Sequence, residues 1–227
     1  MKQEIIGNHI LFCGDYRELI NSLTDKSIDY LFTDPPYFDR AGKLHFYHSS
    51  SYSSRGVKNT QYKPFEKWEV PNNEYYKKVL RKTKEQIIFG INYFSDFKNV
   101  PAGRIVWDKK KCTNLGFSDG EIALCSVINT VKFYRFRWDG MIQEHMDDKE
   151  IKYHPTQKPV KLISQIMKDF VKTKSLILDT HMGSGSFGIA AERNDCKYIG
   201  CEIDPHYYDI ACMRLKEEIK QQKFNFE

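Results

Sequence analysis

The sequence lacks the cysteine patterns of zinc sites and of disulfide-rich proteins. Its six cysteines form no C-x-x-C pair, and none has the spacing to histidine that a zinc site requires. We therefore expect reduced, mostly buried thiols in a cytoplasmic protein, without a metal site.

Long apolar runs are missing as well. No stretch approaches the length that spans a bilayer, the N-terminal MKQEIIGNHI contains no signal-peptide core, and no internal repeat is visible. A membrane protein, an exported protein and a repeat architecture are therefore not expected. The charge excess is modest: 35 basic and 30 acidic residues give +5, which permits a nucleic-acid partner without requiring one.

What the sequence does contain is enough apolar residues, 41% of 227, to form the core of one large domain. Short apolar strands such as SIDYLFTD and SLILD alternate with segments of helical periodicity, of which KPVKLISQIMKDFV is the clearest. EIALCSV and TVKFYRFRW are predicted to pair as strands. The pattern indicates a three-layer α/β fold around a mostly parallel, twisted sheet. Residues 38–71, rich in Ser, Tyr and Lys, are predicted to be a mobile loop insertion.

The segment LDTHMGSGSFG (178–188) places a glycine loop between an apolar strand and a helix. Such a loop lets a ligand approach the backbone beside the positive helix N-terminus. Gly183, Gly185 and Gly188 fit the G-x-G-x-x-G spacing of dinucleotide sites, and Glu202, at the end of the next strand, suits ribose hydroxyls. The pattern leaves open a nicotinamide, a flavin or another nucleoside cofactor, and also a tight turn that only packs a helix on a sheet.

A second unusual segment is FTDPPYFDR (32–40), at the end of a predicted buried strand. A turn accounts for Asp34, Pro35 and Pro36 by themselves, because prolines end strands and Asp favours turns. Taken together, TDPPY at one strand end, HPTQKPV before one helix and LDTHMGSGS before another resemble the amino-directed DNA methyltransferases that use S-adenosylmethionine. Their order along the chain resembles the circularly permuted beta class.

The resemblance extends from Asp15 to about Arg214, and the details NYF (92–94), RIVWDK (104–109), FSDGEIA (117–123) and DTH resemble phage and prophage members most. It implies a Rossmann-like fold, one catalytic domain over residues 1–227, and methyl transfer to a base amine in double-stranded DNA. Asp at position 34 favours N6 of adenine, with N4 of cytosine as the alternative. The intact tetrapeptide disfavours a non-catalytic nucleic-acid-binding protein of this fold and a nicotinamide oxidoreductase.

The tetrapeptide Asp34-Pro35-Pro36-Tyr37 has the catalytic role in the resemblance. An exocyclic amine is a weak nucleophile because its lone pair is delocalised into the ring. The Asp34 carboxylate can accept a hydrogen bond from one N–H and the Pro35 carbonyl from the other, while the prolines hold that carbonyl in place. Tyr37 can stack on a base that has been flipped out of the duplex.

The resemblance also implies contacts with S-adenosylmethionine. Asp15 is expected to contact adenine, or to cap a helix, and Lys158 to offer charge to the methionine carboxylate beside a helix start. The chain departs from the family pattern at Thr180 and His181, where Pro and Phe are usual. The expected cofactor-binding residues are Asp15, Asp34, Thr156, Gln157, Lys158, Asp179, His181, Gly183, Ser184, Gly185 and Glu202.

Contacts with double-stranded DNA are expected from two basic segments and from the 38–71 loop. In KFYRFRW, the basic residues are predicted to face a DNA groove while the aromatic residues point inward, with a solvated strand face as the simpler alternative. Residues 108–152 are predicted to form a small target-recognition region. A homodimer and a cognate restriction enzyme are left open as partners. The DNA-binding candidates are Lys109, Lys110, Lys111, Lys132, Arg135 and Arg137.

Overall fold

The computed structural model describes residues 1–37, 69–94, 100–111, 118–139 and 142–224. The predicted loop at 38–71 therefore lies outside the described residues except for its last three positions. The predicted target-recognition region is described except for residues 112–117 and 140–141.

Eleven strands and five α-helices make up the described part of the chain. The strands are β1 (Lys2–Ile6), β2 (His9–Cys13), β3 (Ile28–Thr33), β4 (Thr83–Phe89), β5 (Arg104–Asp108), β6 (Gly120–Cys125), β7 (Val131–Arg135), β8 (Trp138–Asp139), β9 (Ile142–Gln143), β10 (Leu176–Asp179) and β11 (Lys197–Glu202). The helices are α1 (Tyr16–Ser22), α2 (Asn73–Lys82), α3 (Val160–Phe170), α4 (Ser186–Arg193) and α5 (Pro205–Phe224).

Nine of these strands form one sheet in the order β1-β2-β11-β10-β3-β4-β6-β5-β7. From β2 to β4 all neighbours are parallel, so the prediction of a mainly parallel sheet is confirmed. Because parallel strands end at the same edge, the carboxyl ends of β2, β3, β10 and β11 lie side by side. The segments that follow these strands contain both motifs that the sequence singles out.

The far half of the sheet corrects one prediction. The strands EIALCSV and VKFYR do not pair, because β5 lies between them. β6 is antiparallel to β4 on one side and to β5 on the other, so both of its edges are occupied. β7 therefore adds in parallel to the outer edge of β5 and becomes the edge strand.

Helices cover both faces of the sheet. On one face, α3, α4 and α5 pack on a cluster that includes Ile177 and Phe187, and on the other, α1 and α2 pack on a cluster that includes Leu178 and Val79. Adjacent residues of β10 thus enter opposite layers, which explains why its sequence is continuously apolar. The three-layer, Rossmann-like prediction is confirmed. Among the described helices, none combines the length and apolar composition that crossing a membrane requires.

Candidate active site

A cavity of about 620 Å³ opens at the carboxyl edge of the parallel strands. It is large enough for a nucleoside-sized ligand, since such sites range over roughly 300–1,000 Å³. Its walls come from the segments after β2, β3, β10 and β11 and from the turn before α3. The predicted site residues in its lining are Asp15, Asp34, Pro35, Pro36, Tyr37, Thr156, Gln157, Lys158, His181, Gly183, Ser184 and Glu202.

The Asp34 carboxylate uses only one of its two oxygens within the described residues. Oδ2 accepts a hydrogen bond from Lys158 Nζ, whereas Oδ1 is buried and has no hydrogen-bond partner there. Burial raises the pKa of Asp34 to about 6; the Lys158 charge opposes this shift and the Glu121 carboxylate adds to it. The site therefore presents one unsatisfied acceptor at the cavity, on a carboxylate that ionises near neutral pH.

Lys158 lies between two carboxylates. Its ammonium contacts Asp34 Oδ2 and lies 3.0 Å from Glu121 Oε2, and its side chain is only 3% exposed. Burial lowers the pKa of Lys158, but the neighbouring carboxylates outweigh burial and hold that pKa above its ordinary value. The sequence predicted that Lys158 offers its charge to a cofactor carboxylate, whereas here that charge is balanced by the protein's own acids.

Tyr37 stacks on Tyr93, a residue that the sequence did not identify as part of the site. The ring centroids are 4.6 Å apart and the planes differ by 2°. Tyr93 belongs to a single 3-10 turn that follows β4, and half of its surface is exposed. The two rings form an aromatic platform beside Asp34.

The glycine loop is held by polar contacts from three directions. Gly183 N–H donates to Glu202 Oε2 (2.8 Å), and Ser184 Oγ donates to Gln157 Oε1 (2.9 Å). The buried Arg214 on α5 donates to the Ser184 carbonyl oxygen. The HPTQKP turn, the end of β11 and α5 thus fix the loop jointly, and Arg214 is a contribution that no motif indicated.

Gly185 does not line the cavity but allows α4 to begin directly after the loop. Its φ of +83° lies in the left-handed region, and a Cβ there would lie 2.9 Å from Ala211 Cβ. Glycine is therefore required both by backbone conformation and by the close approach of α5.

Asp179 lies beneath the loop rather than in the cavity wall. It is fully buried, and it accepts hydrogen bonds from Thr33 Oγ1 (2.8 Å), Tyr198 OH (2.9 Å) and His181 N–H (3.1 Å). Burial raises its pKa to about 7. Asp179 thus supports the loop from beneath and does not line the cavity.

The departures at Thr180 and His181 have partners of their own. Thr180 Oγ1 lies 2.5 Å from Tyr75 OH and 2.9 Å from His181 Nδ1, and the His181 ring lies 4.8 Å from the Tyr16 ring. Burial lowers the pKa of His181 to about 3, so the ring is neutral. His181 thus packs as an aromatic residue, while its buried Nε2 has no hydrogen-bond partner among the residues described.

The remaining cofactor candidates also make local contacts. Asp15 caps α1 by accepting from Arg17 N–H (2.8 Å), which confirms the helix-capping alternative, and Arg17 also pairs with Glu69. Gln157 accepts from Tyr153 N–H and donates to the Ile151 carbonyl, so it fixes its own turn. The Thr156 hydroxyl lies 3.1 Å from His154 Nδ1.

The lysine cluster predicted to contact DNA is largely paired with carboxylates. Lys109 lies 2.7 Å from Glu121, Lys110 lies 2.7 Å from Glu144, and Lys111 lies 3.3 Å from Asp119. Lys109 and Glu121 are both mostly buried beside Lys158. Lys109 therefore belongs to the charge network behind Asp34, not to an open basic surface.

The predicted separation of basic and aromatic faces in KFYRFRW is confirmed for Tyr134, Arg135 and Phe136. It is wrong at Lys132 and Phe133. Side chains alternate along a strand, so Lys132 shares a face with Tyr134 while Phe133 shares the other face with Arg135. Phe133 is 63% exposed, whereas Tyr134 and Phe136 pack against the core. Lys132 and Arg135 are exposed on this edge strand, and Arg137 is only partly exposed.

The geometry agrees with the comparison to known proteins. The family model of the N6/N4 methyltransferases, described as DNA methylase, matches residues 44–213, and the chain belongs to this family. A curated relative is the type II methyltransferase M.HinfI of Haemophilus influenzae. It is 25% identical over 246 residues, which cover 90% of this chain and 67% of that protein.

Two solved structures have the same fold. One is an M1.HpyAVI–SAM complex, with a TM-score of 0.57, 23% identity, and coverage of 90% of this chain and 98% of that one. The other is the PvuII DNA methyltransferase, described as cytosine-N4-specific, with a TM-score of 0.59, 17% identity, and coverage of 95% and 91%. At these identities the likeness shows the fold alone.

Proposed function

We propose that this DNA methyltransferase uses S-adenosylmethionine to methylate the exocyclic N6 amine of adenine in double-stranded DNA. The observation that supports this most directly is Asp34 Oδ1, a buried acceptor without a partner among the described residues, at the wall of a 620 Å³ cavity. The glycine loop and Glu202 line the same cavity. The residues proposed to bind the methyl donor and those proposed to bind the target amine therefore border one space.

The groups that line the cavity suit S-adenosylmethionine. Glu202 offers carboxylate oxygens for ribose hydroxyls, and Gly183 and Ser184 line the cavity. Neutral His181 presents a ring whose Nε2 has no hydrogen-bond partner in the described part of the chain. When bound, S-adenosylmethionine supplies an electrophilic methyl group on a sulfonium. Asp15, Thr156 and Gln157 border the same space and complete the proposed binding residues.

On the acceptor side, each residue of the tetrapeptide has one task. Asp34 Oδ1 accepts one N–H of the target amine and the Pro35 carbonyl accepts the other, which favours a pyramidal nitrogen with an available lone pair. Pro36 adds no N–H that would compete for these acceptors. Tyr37, stacked on Tyr93, provides a flat surface for a base flipped out of the duplex.

Methylation of cytosine N4 is the alternative. The PvuII enzyme, described as cytosine-N4-specific, has the same fold over most of this chain, so the fold does not distinguish the two bases. Asp at position 34 favours adenine in the resemblance. Both bases present an exocyclic amine, so the same acceptors serve either.

The test is methyl transfer from labelled S-adenosylmethionine to mixed-sequence duplex DNA, followed by digestion to nucleosides. N6-methyladenine is expected, and its loss in Asp34→Ala ties the activity to this site. N4-methylcytosine instead would select the alternative. Absence of both products from wild-type protein would contradict the two proposals together.

A further inference from the structure

We propose that Glu121 is a positioning residue for Asp34, acting through Lys158. It holds the lysine ammonium on Oδ2 so that Oδ1 stays available to the base amine. This inference rests on the proposed function, because it assigns Oδ1 to the target amine. Glu121 itself does not line the cavity.

The geometry is a chain of alternating charges that ends at the reactive carboxylate. Lys109 Nζ lies 2.7 Å from Glu121 Oε1, and Lys158 Nζ contacts Asp34 Oδ2. Between them, Glu121 Oε2 lies 3.0 Å from Lys158 Nζ as an ion pair without hydrogen-bond geometry. Two lysines and two acids balance each other in a buried region. Each of the two inner members has two partners of opposite charge, which fixes its position.

Glu121 matters because a lysine ammonium is a compact donor on a flexible stem. With a single partner, the Lys158 ammonium can move toward either oxygen of Asp34, or bridge both. With Glu121 on its other side, it is held at Oδ2. Lys158 Nζ also lies over the Phe89 ring, 5.2 Å from the ring centroid, and this contact further restricts the movement of the ammonium.

The charge of Glu121 also acts on Asp34 across Lys158. The negative charge of Glu121 disfavours the ionised form of Asp34. Removal of the Glu121 charge should therefore lower the pKa of Asp34. Other charged or titratable groups face Asp34 from neighbouring elements and keep their ionisable side chains in a Glu121 variant. They are Tyr37 on its own segment, Tyr76 on α2, Lys109 after β5, Lys158 before α3 and Asp179 at the end of β10.

The experiment compares Glu121→Gln with wild type in the methyl-transfer assay over about pH 5 to 8. We expect kcat to fall by about tenfold to a hundredfold. The acid limb of the pH profile of kcat/KM should move to a pH lower by about one unit. The Kd of S-adenosylmethionine, measured by calorimetry, should change by less than about threefold because Glu121 lies outside the cavity.

Glu192→Gln is the matched control, since Glu192 is a partly buried glutamate paired with His9 (2.7 Å). It should alter thermal stability without moving the acid limb. Wild-type kcat in Glu121→Gln, or a lowered kcat with the acid limb unmoved, would overturn the inference. If Glu121→Gln does not fold, Glu121→Asp keeps the charge but shortens the reach. In that variant kcat should fall with the limb unmoved, and an unchanged kcat would overturn the proposal.

Failure of the inference differs from failure of the proposed function. An active wild-type enzyme with an insensitive Glu121→Gln variant removes only the positioning role. A wild-type enzyme that methylates no DNA base removes the proposed function and the inference that rests on it.

Discussion

Gly90 leaves the space that the ring of Tyr37 occupies. A Cβ atom at position 90 would lie 2.1 Å from Tyr37 Cδ1, and Gly90 has a φ of +72°. The residue after β4 is thus coupled to the residue that we propose stacks on the target base. It also begins the turn that presents Tyr93, so one glycine allows both halves of the aromatic platform.

Gly90→Ala should therefore displace the Tyr37 ring. Because stacking of a base on an aromatic side chain contributes about 1–3 kcal/mol, we expect kcat/KM to fall by about fivefold to a hundredfold. Steady-state methyl transfer measures this. Gly7→Ala is the control, since Gly7 also has a positive φ (+58°) but lies in the β1–β2 turn. Equal activity of Gly90→Ala and wild type would contradict the platform.

The activity should depend on pH through Asp34. Its raised pKa of about 6 means that the carboxylate is lost as pH falls through about 6, and only the carboxylate accepts from the amine without a competing proton. We expect kcat/KM to decrease by about tenfold per unit below that pH and to level off above it. DNA binding measured at the same pH values separates this effect from weakened binding. A flat profile down to about pH 5 would argue against Asp34 as the acceptor.

Arg214 should influence cofactor affinity from outside the cavity. Its guanidinium donates to the Ser184 carbonyl in a buried setting. A lost charge-assisted hydrogen bond there costs about 1.5–3 kcal/mol, so Arg214→Gln should raise the Kd of S-adenosylmethionine by about tenfold to a hundredfold. Calorimetry measures the change. Arg193→Gln, which removes an ion pair with Glu218 away from the loop, should leave that Kd near wild type, and a similar Kd in both variants would contradict the assignment.

The contribution of Asp179 to the stability of the fold should decrease as pH rises. Its folded-state pKa of about 7 exceeds the usual unfolded value of about 3.9, so its contribution is complete below about pH 4 and is lost as pH rises through about 7. Within that window the slope from this group reaches about 1.4 kcal/mol per pH unit.

Asp179→Asn should remove this slope while keeping the contacts. The amide oxygen can accept from Thr33 and His181 N–H, and its NH₂ can donate to the Tyr198 hydroxyl. Urea unfolding at several pH values should show a variant that gains stability relative to wild type as pH rises. Parallel stability curves would contradict the assigned pKa direction.

DNA binding should separate the exposed basic residues from the mostly buried Lys109. Lys132 and Arg135 are exposed on the edge strand, and the ion pair of Arg135 with Asp108 is long (3.7 Å) and open to solvent. Lys132→Ala and Arg135→Ala should therefore each reduce the slope of log K against log salt by about 1. Lys109→Ala should not change that slope, because Lys109 is mostly buried and lies 2.7 Å from Glu121. Lys197→Ala, an exposed lysine at the start of β11, is the control. An unchanged slope for both edge-strand variants would place the DNA surface elsewhere.

Much of the fold could be predicted because local patterns are strong in this chain. The α3 face of Leu162, Ile163, Ile166 and Met167 is buried as its spacing indicates, and the continuous apolar β10 lies inside a parallel sheet. The position of β7 could not be predicted. Adjacency in sequence favours a β6–β7 pair, whereas the edges already taken by β4 and β5 exclude it.

The fold class, the two motifs and the family follow from the amino-acid sequence, because glycine loops and the Asp34-Pro35-Pro36-Tyr37 segment are recognisable from local chemistry. Which side chains those motifs contact is known only from the folded chain. Glu121, Tyr93 and Arg214 lie far along the chain from the residues that they contact. NYF (92–94) and FSDGEIA (117–123) resemble the family, but neither segment indicates which side chains Tyr93 and Glu121 contact. Charge pairing and ring stacking depend on distances between residues on different strands, and the order of the strands in the folded sheet sets those distances.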